Sequence, residues 1–324
     1  MYSKSILQQT RLDNIDLQII RLLSRDSRAP YKGIALEVGI SSNAAKQRIN
    51  KMVSNGVIQG FVLRINPVIF GYEKECILTL SHIGKTIKEQ DVLKYVSLVG
   101  DVFVSARQLG GALTFVLSVR AGAEEKLSTL TDLLTPSTIR SIFLSYSPIN
   151  TRIHSSDLEV MKYLLSNSRM QIDNIAKESS LSSKTVKRRL EVMKENHILQ
   201  FSVATNLSSM QLTGYVEFIV LINIDMYHHK EILERIYREM QEYLLIIPNR
   251  YQKELIFAVF FCANIPTVNS ILTKLESYEG VKKVEHFITI NRVYYQDWLK
   301  REVDKRISQK DSLLSSLSMT SKNS

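Results

Sequence analysis

From Asp13 onward, apolar residues recur at helical spacing: Ile15, Ile19, Ile20, Leu22 and Leu23 share one face. This predicts a helix capped at Asp13 and ending near Arg25, because SRDSRAP is rich in turn formers and the residue before Pro30 resists helical geometry. A second helix, Tyr31 to Val38, stops at Gly39. Gly39 and Ile40 then turn the chain into a third helix at SSNAAKQRINKMV, where Ser41 supplies the N-terminal cap and Ala45, Ile49 and Met52 form the inward row. The outward face carries Asn43, Lys46, Gln47 and Lys51. The following NGVIQGFVLRINP reads as a turn and a two-stranded ribbon, Val57 to Phe61 and Val62 to Ile65. Three helices and a ribbon in this order predict a winged helix-turn-helix.

The same pattern returns at a constant offset of 141 positions, without a gap over more than forty residues. Asp16 matches Asp157, Leu23 matches Leu164, Arg28 matches Arg169, Ala35 matches Ala176, Ser41 matches Ser182, Arg48 matches Arg189 and Met52 matches Met193. The second third helix, SSKTVKRRLEVM, points Val186, Leu190 and Met193 inward and Lys184, Thr185, Lys187 and Arg188 outward. A lone basic face is usually just a solvated surface; a repeat of this length argues for a shared architectural unit.

Between and after these units the periodicity changes from helical to alternating. Residues 75–83 read as a strand, Ile87 to Val96 as a helix, Val102 to Gln108 and Leu113 to Val119 as strands, Ala123 to Leu134 as a helix and Thr138 to Tyr146 as a strand. The later copy reads as a strand at Val216 to Ile224, a helix at His229 to Met240, strands at Leu244 to Pro248 and Leu255 to Cys262, a helix at Pro266 to Tyr278 and a strand at Lys283 to Asn291. Both orders are β-α-β-β-α-β, the ferredoxin-like split unit. Strands as apolar as FIVLINI and LIFAVFFCA predict that the sheet face opposite the helices is also covered, most simply by the other copy.

The fold class is therefore α+β, with winged helix-turn-helix domains at residues 1–67 and 152–210 alternating with ferredoxin-like domains at 72–148 and 213–291. Residues 292–324 complete the chain as an amphipathic helix from Tyr294 to Ser308 and a serine-rich tail expected to be disordered.

Charge narrows the partner. The 324 residues carry a net charge of +10, with a pI near 9.4, which favours a polyanion, nucleic acid before membrane. Cys76 and Cys262 lie in separate apolar runs, predicting buried reduced thiols and a cytoplasmic location. The histidines and cysteines lack metal-ligand spacing, and no cofactor is expected. No apolar run approaches the length of a membrane span, and no signal-peptide core is evident at the start.

Small polar and basic side chains at the start of a short helix suit a DNA major groove. The expected DNA-facing set is Ser42, Asn43, Ala44, Lys46, Gln47 and Lys51 in the first helix and Ser183, Lys184, Thr185, Lys187 and Arg188 in the second. Asn43 and Gln47 have the donor–acceptor pairs that read adenine, Ala44 and Thr185 the apolar surface for a thymine methyl, and the basic residues reach phosphates or guanine. Arg48 and Arg189 lie at the edge of the core.

The run Leu12-Asp13-x-x-Asp16-x-x-Ile19-Ile20-x-Leu22-Leu23-x-x-Asp26-x-Arg28 resembles the opening of the Lrp/AsnC family of transcription regulators, as do Ser41-Ser42, Gly56-Val57-Ile58 and Asn66-Pro67. The resemblance covers about residues 12–291 and implies two such proteins fused head to tail, a form expected of an archaeal protein. The second copy departs with Asn167 in place of Asp26 and His197 in place of Gly56. In this family a winged helix-turn-helix precedes a ligand-sensing domain, and dimers pair their sheets face to face. The fusion then implies a pseudo-dimer within one chain, binding double-stranded DNA, open to a small-molecule effector and to further homo-oligomers.

The family's effector site lies near the turn between the middle strands, which implies Gly110 and Gly111 here. The acidic residue that usually follows is missing from Gly110-Gly111-Ala112-Leu113-Thr114, and Tyr251-Gln252-Lys253-Glu254-Leu255 has no glycine. A tight turn needing positive φ also explains the two glycines. Two other functions remain on the same architecture: a DNA-architectural protein without effector control, and an enzyme like the haem-pathway decarboxylases. The latter use histidine and arginine, whereas the corresponding strands here hold Arg107 and Arg250 with no histidine beside them. The expectation is a regulator, not an enzyme.

Overall fold

The computed structural model describes residues 12–83, 87–146, 149–205, 215–246 and 253–320, with only the backbone for residue 246 and residues 310–320. The first winged module opens with α1 (Asn14–Arg25), α2 (Tyr31–Val38) and α3 (Ser42–Ser54), followed by strand β1 (Ile58–Ile65). A short 3-10 turn, Pro67–Phe70, leads into β2 (Lys74–Ser81), α4 (Glu89–Val96), β3 (Asp101–Gln108), β4 (Leu113–Val119), α5 (Ala123–Leu133) and β5 (Thr138–Ser145). The second module comprises α6 (Ser155–Ser166), α7 (Ile172–Ser179), α8 (Ser183–Glu195) and β6 (Leu199–Thr205). The chain then forms β7 (Val216–Ile224), α9 (His229–Glu239), β8 (Leu244–Ile246), β9 (Leu255–Cys262), α10 (Ile265–Glu276), β10 (Val281–Tyr294) and α11 (Asp297–Thr320).

The strand orders are β5-β2-β4-β3 in the earlier sensing-like domain and β10-β7-β9-β8 in the later one. In chain order this is 4-1-3-2 in both, the topology of a split β-α-β-β-α-β unit. Antiparallel ladders place Leu78 opposite Phe115 and Phe218 opposite Phe260, so every second residue enters the core under the helices. Val92, Val96, Phe115 and Leu130 belong to one core and Val220, Ile236, Phe260 and Leu275 to the other. Both cysteines are buried and free, and burial pushes the Cys76 thiol up to about 12.

Two sequence expectations change. Residues 57–65 do not fold back as a ribbon: β1 is one strand and pairs with β6. Phe61-Val62, where the ribbon had to reverse, has no residue that favours a tight turn, and the β-branched and aromatic run simply continues. The final helix does not stop at Ser308 but continues through the serine-rich segment expected to be disordered, as far as Thr320. The second-copy turn residues Tyr251 and Gln252, the neighbouring Arg250, and the expected wing end after Thr205 lie outside the described residues.

The chain divides into two compact units. One contains Met1–Gly60, Ala106–Ala112 and Val203–Arg292; in it α1 packs on β8, and Tyr215 stacks on Phe261 at 5.1 Å while its hydroxyl donates to the Leu12 carbonyl at 3.4 Å. The other contains Phe61–Ser105, Leu113–Ser202 and Val293–Ser324. Here α11 lies against α6, Trp298 meets Tyr72 edge-on at 5.2 Å, and Arg120 both stacks over Tyr72 and reaches Glu302 at 3.0 Å. Each helix-turn-helix thus packs within a unit that holds the opposite copy's sensing-like domain.

Candidate nucleic-acid interface

Both third helices start as the serine pattern predicts. Ser41 Oγ accepts from the Ala44 amide at 3.2 Å and Ser182 Oγ from the Thr185 amide at 3.1 Å, each contact satisfying a helix-end N–H that has no partner within the helix. Ala45, Ile49 and Met52 in α3, and Val186, Leu190 and Met193 in α8, are buried. Each larger side chain in these rows contributes about 1.5–3 kcal/mol to holding its helix in place. The helix orientation follows from those six anchors, and it fixes which residues remain outside.

Ser42, Asn43, Lys46, Gln47 and Lys51 are exposed on α3, and Ala44 is half-buried. On α8, Ser183, Lys184, Lys187 and Arg188 are exposed and Thr185 is half-buried. Among the described residues, Asn43, Lys46, Gln47, Lys51, Lys184 and Arg188 make no side-chain hydrogen bond or ion pair, so their polar ends face solvent. Three members of the second set are partly engaged. The Ser183 hydroxyl donates to Asp173 at 2.7 Å, Thr185 Oγ1 meets Ser182 Oγ at 2.8 Å, and Lys187 lies 4.0 Å from Glu191. The first helix is lined by amides with unengaged ends, the second by charge. Its sequence includes Glu191 and Glu195, whereas α3 has no acidic residue.

Arg48 and Arg189 do not belong to the exposed row. Arg48 Nη1 donates to Asp13 at 2.8 Å and to Asp16 at 2.9 Å, tying α3 to the start of α1. Asp13 and Asp16 also form a reciprocal capping box there. Burial tends to raise the Asp13 carboxyl, but backbone amides and Arg48 outweigh it and hold Asp13 below its ordinary value. In the second copy Arg189 grips Asp157 with Nε and Nη2, each at 2.5 Å, and the Asp157 side chain is 1% exposed. Helical periodicity places both arginines at the core edge but does not name their acidic partners. The signal was available, since Asp16 and Arg48 recur together as Asp157 and Arg189.

The second copy also retains the geometry where its residues differ. Asn167 Oδ1 accepts from the Arg169 amide at 3.0 Å just as Asp26 Oδ1 accepts from the Arg28 amide at 2.9 Å. His197 takes φ 54° where Gly56 takes 71°, and Ser180 takes 57° where Gly39 takes 71°. Gly110 and Gly111 sit in the β3–β4 turn at φ 92° and 89°, with the Gly111 amide donating to the Gln108 carbonyl at 3.0 Å. Positive φ accounts for both, and a Cβ at either meets nothing within 4 Å, so the space beside the turn is open. No helix among the described residues is long and apolar enough to cross a membrane.

A family model described as winged helix-turn-helix DNA-binding matches residues 12–59 and 153–200. An HTH-type transcriptional regulator of Pyrococcus abyssi is 40% identical over 78 residues, 24% of this chain and 53% of that protein, so the chain spans about half of that relative's length. Another, from Pyrococcus horikoshii, is 31% identical over 140 residues, 40% of this chain and 89% of the relative. LrpA of the same organism is 30% identical over 29% of this chain and 68% of its own length. The chain belongs to the Lrp/AsnC family of transcription regulators. The two matched segments of this Lrp/AsnC protein end with β1 and β6 just begun, and each contains one complete serine-capped third helix. Among solved structures, the siroheme decarboxylase NirDL aligns with 92% of this chain and all of its own at 13% identity and a TM-score of 0.46.

Proposed function

We propose that this Lrp/AsnC protein binds duplex DNA sequence-specifically through α3 and α8, reading bases mainly with the first helix and holding phosphates mainly with the second. The observation that carries this reading is the pair of serine-capped helices at equivalent repeat positions, each anchored by three buried side chains and each presenting solvent-facing polar ends. Asn43 and Gln47 are the adenine readers, because each can present a donor and an acceptor side by side. Lys184, Lys187 and Arg188 contact phosphates or guanine edges, with Lys46 and Lys51 adding charge beside the amides. Ala44 and Thr185 have less surface free and serve as apolar contacts to thymine; Ser42 and Ser183 sit at the helix starts, where backbone amides approach phosphate. The two faces differ, so the two half-sites differ in sequence.

Selection of bound sequences from random duplex DNA, at near-physiological salt, tests the reading. The expected result is a bipartite motif with unlike halves. Gln47→Ala is expected to change the preferred bases at one half, whereas Lys187→Ala weakens all sites alike and lowers the salt dependence by about one phosphate contact. Binding with no motif would leave only architectural, phosphate-driven association, and identical behaviour of the two variants would remove the division of labour. An effector at Gly110 and Gly111 is a further part of this reading, supported by the open space beside their turn.

A further inference from the structure

A groove of about 450 Å³ opens between α1 and α2 of the first helix-turn-helix and the C-terminal end of α9, all within one compact unit. Its volume is within the ordinary range for small-molecule sites. Its charged lining is Arg21, Arg25 and Glu37 on the helix-turn-helix side, with Arg238, Glu239 and Glu242 opposite. The three acids do not neutralise it evenly. Glu239 is shared among Arg238 at 3.1 Å, Arg235 at 3.3 Å and Lys274 at 3.0 Å, so that wall is itself an excess of cations.

Arg25 and Arg238 lie in the last turns of their helices, where a cation offsets the partial charge of the terminal carbonyls. Arg21 lies one turn before Arg25 on the same face of α1 and has no such role. Among the described residues its guanidinium makes no ion pair, and its Nε is buried without a hydrogen-bond partner. Burial holds Arg21 below its ordinary proton affinity; Glu242 acts on it favourably at longer range, and Arg25 repels it. A half-buried guanidinium with no ion pair, beside a second arginine, is a costly arrangement unless an anion offsets its charge.

We propose that this groove binds a small anionic metabolite whose carboxylate or phosphate oxygen accepts from the Nη end of the Arg21 guanidinium, which lines the groove, with Arg25 as the second cation. Glu37 and Glu242 on the rim select a ligand that also carries hydrogen-bond donors, such as a hydroxylated carboxylate or a sugar phosphate. The bound molecule touches the helix-turn-helix and the sensing-like domain of the same unit together. It is a different place from the Gly110–Gly111 turn.

Isothermal titration of the full chain with citrate, ribose 5-phosphate and inorganic phosphate, without DNA, tests this separately from the regulator reading. At least one probe is expected to bind saturably at about one per chain. Arg21→Gln is expected to weaken it tenfold or more, and Arg169→Ala, in the other unit, to leave it unchanged. Arg25→Gln, at an exposed position that leaves the fold intact, is expected to weaken it several-fold and serves as the test if Arg21→Gln unfolds. The proposal is overturned if none of the three probes saturates, or if binding persists unchanged in the arginine variants, which would place the anion on the general basic surface.

Discussion

Arg48→Met and Arg189→Met are chemically the same change at equivalent positions of the repeat, yet the structure predicts different outcomes. The Arg189 side chain is 12% exposed and its partner Asp157 1% exposed. Methionine there leaves a buried carboxylate that, among the described residues, keeps just the His154 amide, at 2.7 Å, as a partner. Breaking one side of a buried pair costs about 3–5 kcal/mol. For a unit of this size, one kcal/mol corresponds to about 2–4 °C, so the transition of that unit falls by about 6–20 °C. Arg48 is 32% exposed, and its partners Asp13 and Asp16 are 51% and 13% exposed. Water screens and replaces much of that interaction, leaving about 1 kcal/mol, or about 2–4 °C.

Scanning calorimetry of the two variants, with DNA affinity measured at a temperature below both transitions, separates structural from recognition roles. The expected result is unequal loss of stability and unchanged affinity in both. Equal drops in Tm would refute the burial reasoning. A folded Arg189→Met protein that lost tenfold in DNA affinity would show that this arginine reaches DNA rather than Asp157.

Other outcomes follow from local geometry. Gly100→Ala places a Cβ 2.6 Å from the Ser118 carbonyl oxygen and 2.7 Å from Val119 Cγ1, so denaturant titration is expected to show a loss of roughly 1–3 kcal/mol. Ser180→Gly and His197→Gly each relieve a left-handed backbone that a side chain disfavours, and a gain of up to about 1 kcal/mol apiece is expected in the same assay. Lys274 foremost, with Arg238, Tyr278 and Arg235, pulls the Glu239 carboxyl from its ordinary value of 4.5 to about 2. A depressed folded value means its stabilisation is present above pH 4.5 and is lost as pH falls towards 2; Glu239→Gln is expected to flatten the acid limb of a Tm-versus-pH curve over that window.

The helices and strands were legible because each rests on a local rule. Serine and aspartate caps, glycine stops and apolar rows at helical or alternating spacing need only neighbouring residues to act, and the offset of 141 then doubled every observation. The exposed row of Asn43, Lys46, Gln47 and Lys51 follows from the same periodicity, because burying Ala45, Ile49 and Met52 leaves no other face for it.

Relations between distant segments were not legible. That Arg189 closes on Asp157, and Arg48 on Asp13 and Asp16, depends on the distance between α8 and α6, or α3 and α1, after packing. That β1 pairs with β6 depends on bringing together strands far apart in sequence; a single strand's pattern does not say which edge it joins. The crosswise grouping, with α1 on β8 in one unit and α11 on α6 in the other, is likewise tertiary. Short-range sterics, capping and amphipathicity make the elements, their order and the solvent-facing polar rows of α3 and α8 readable from the chain alone. Which arginines pair with carboxylates, and where Arg21 is left beside a groove, emerge on packing, because burial and pairing are properties of the folded chain.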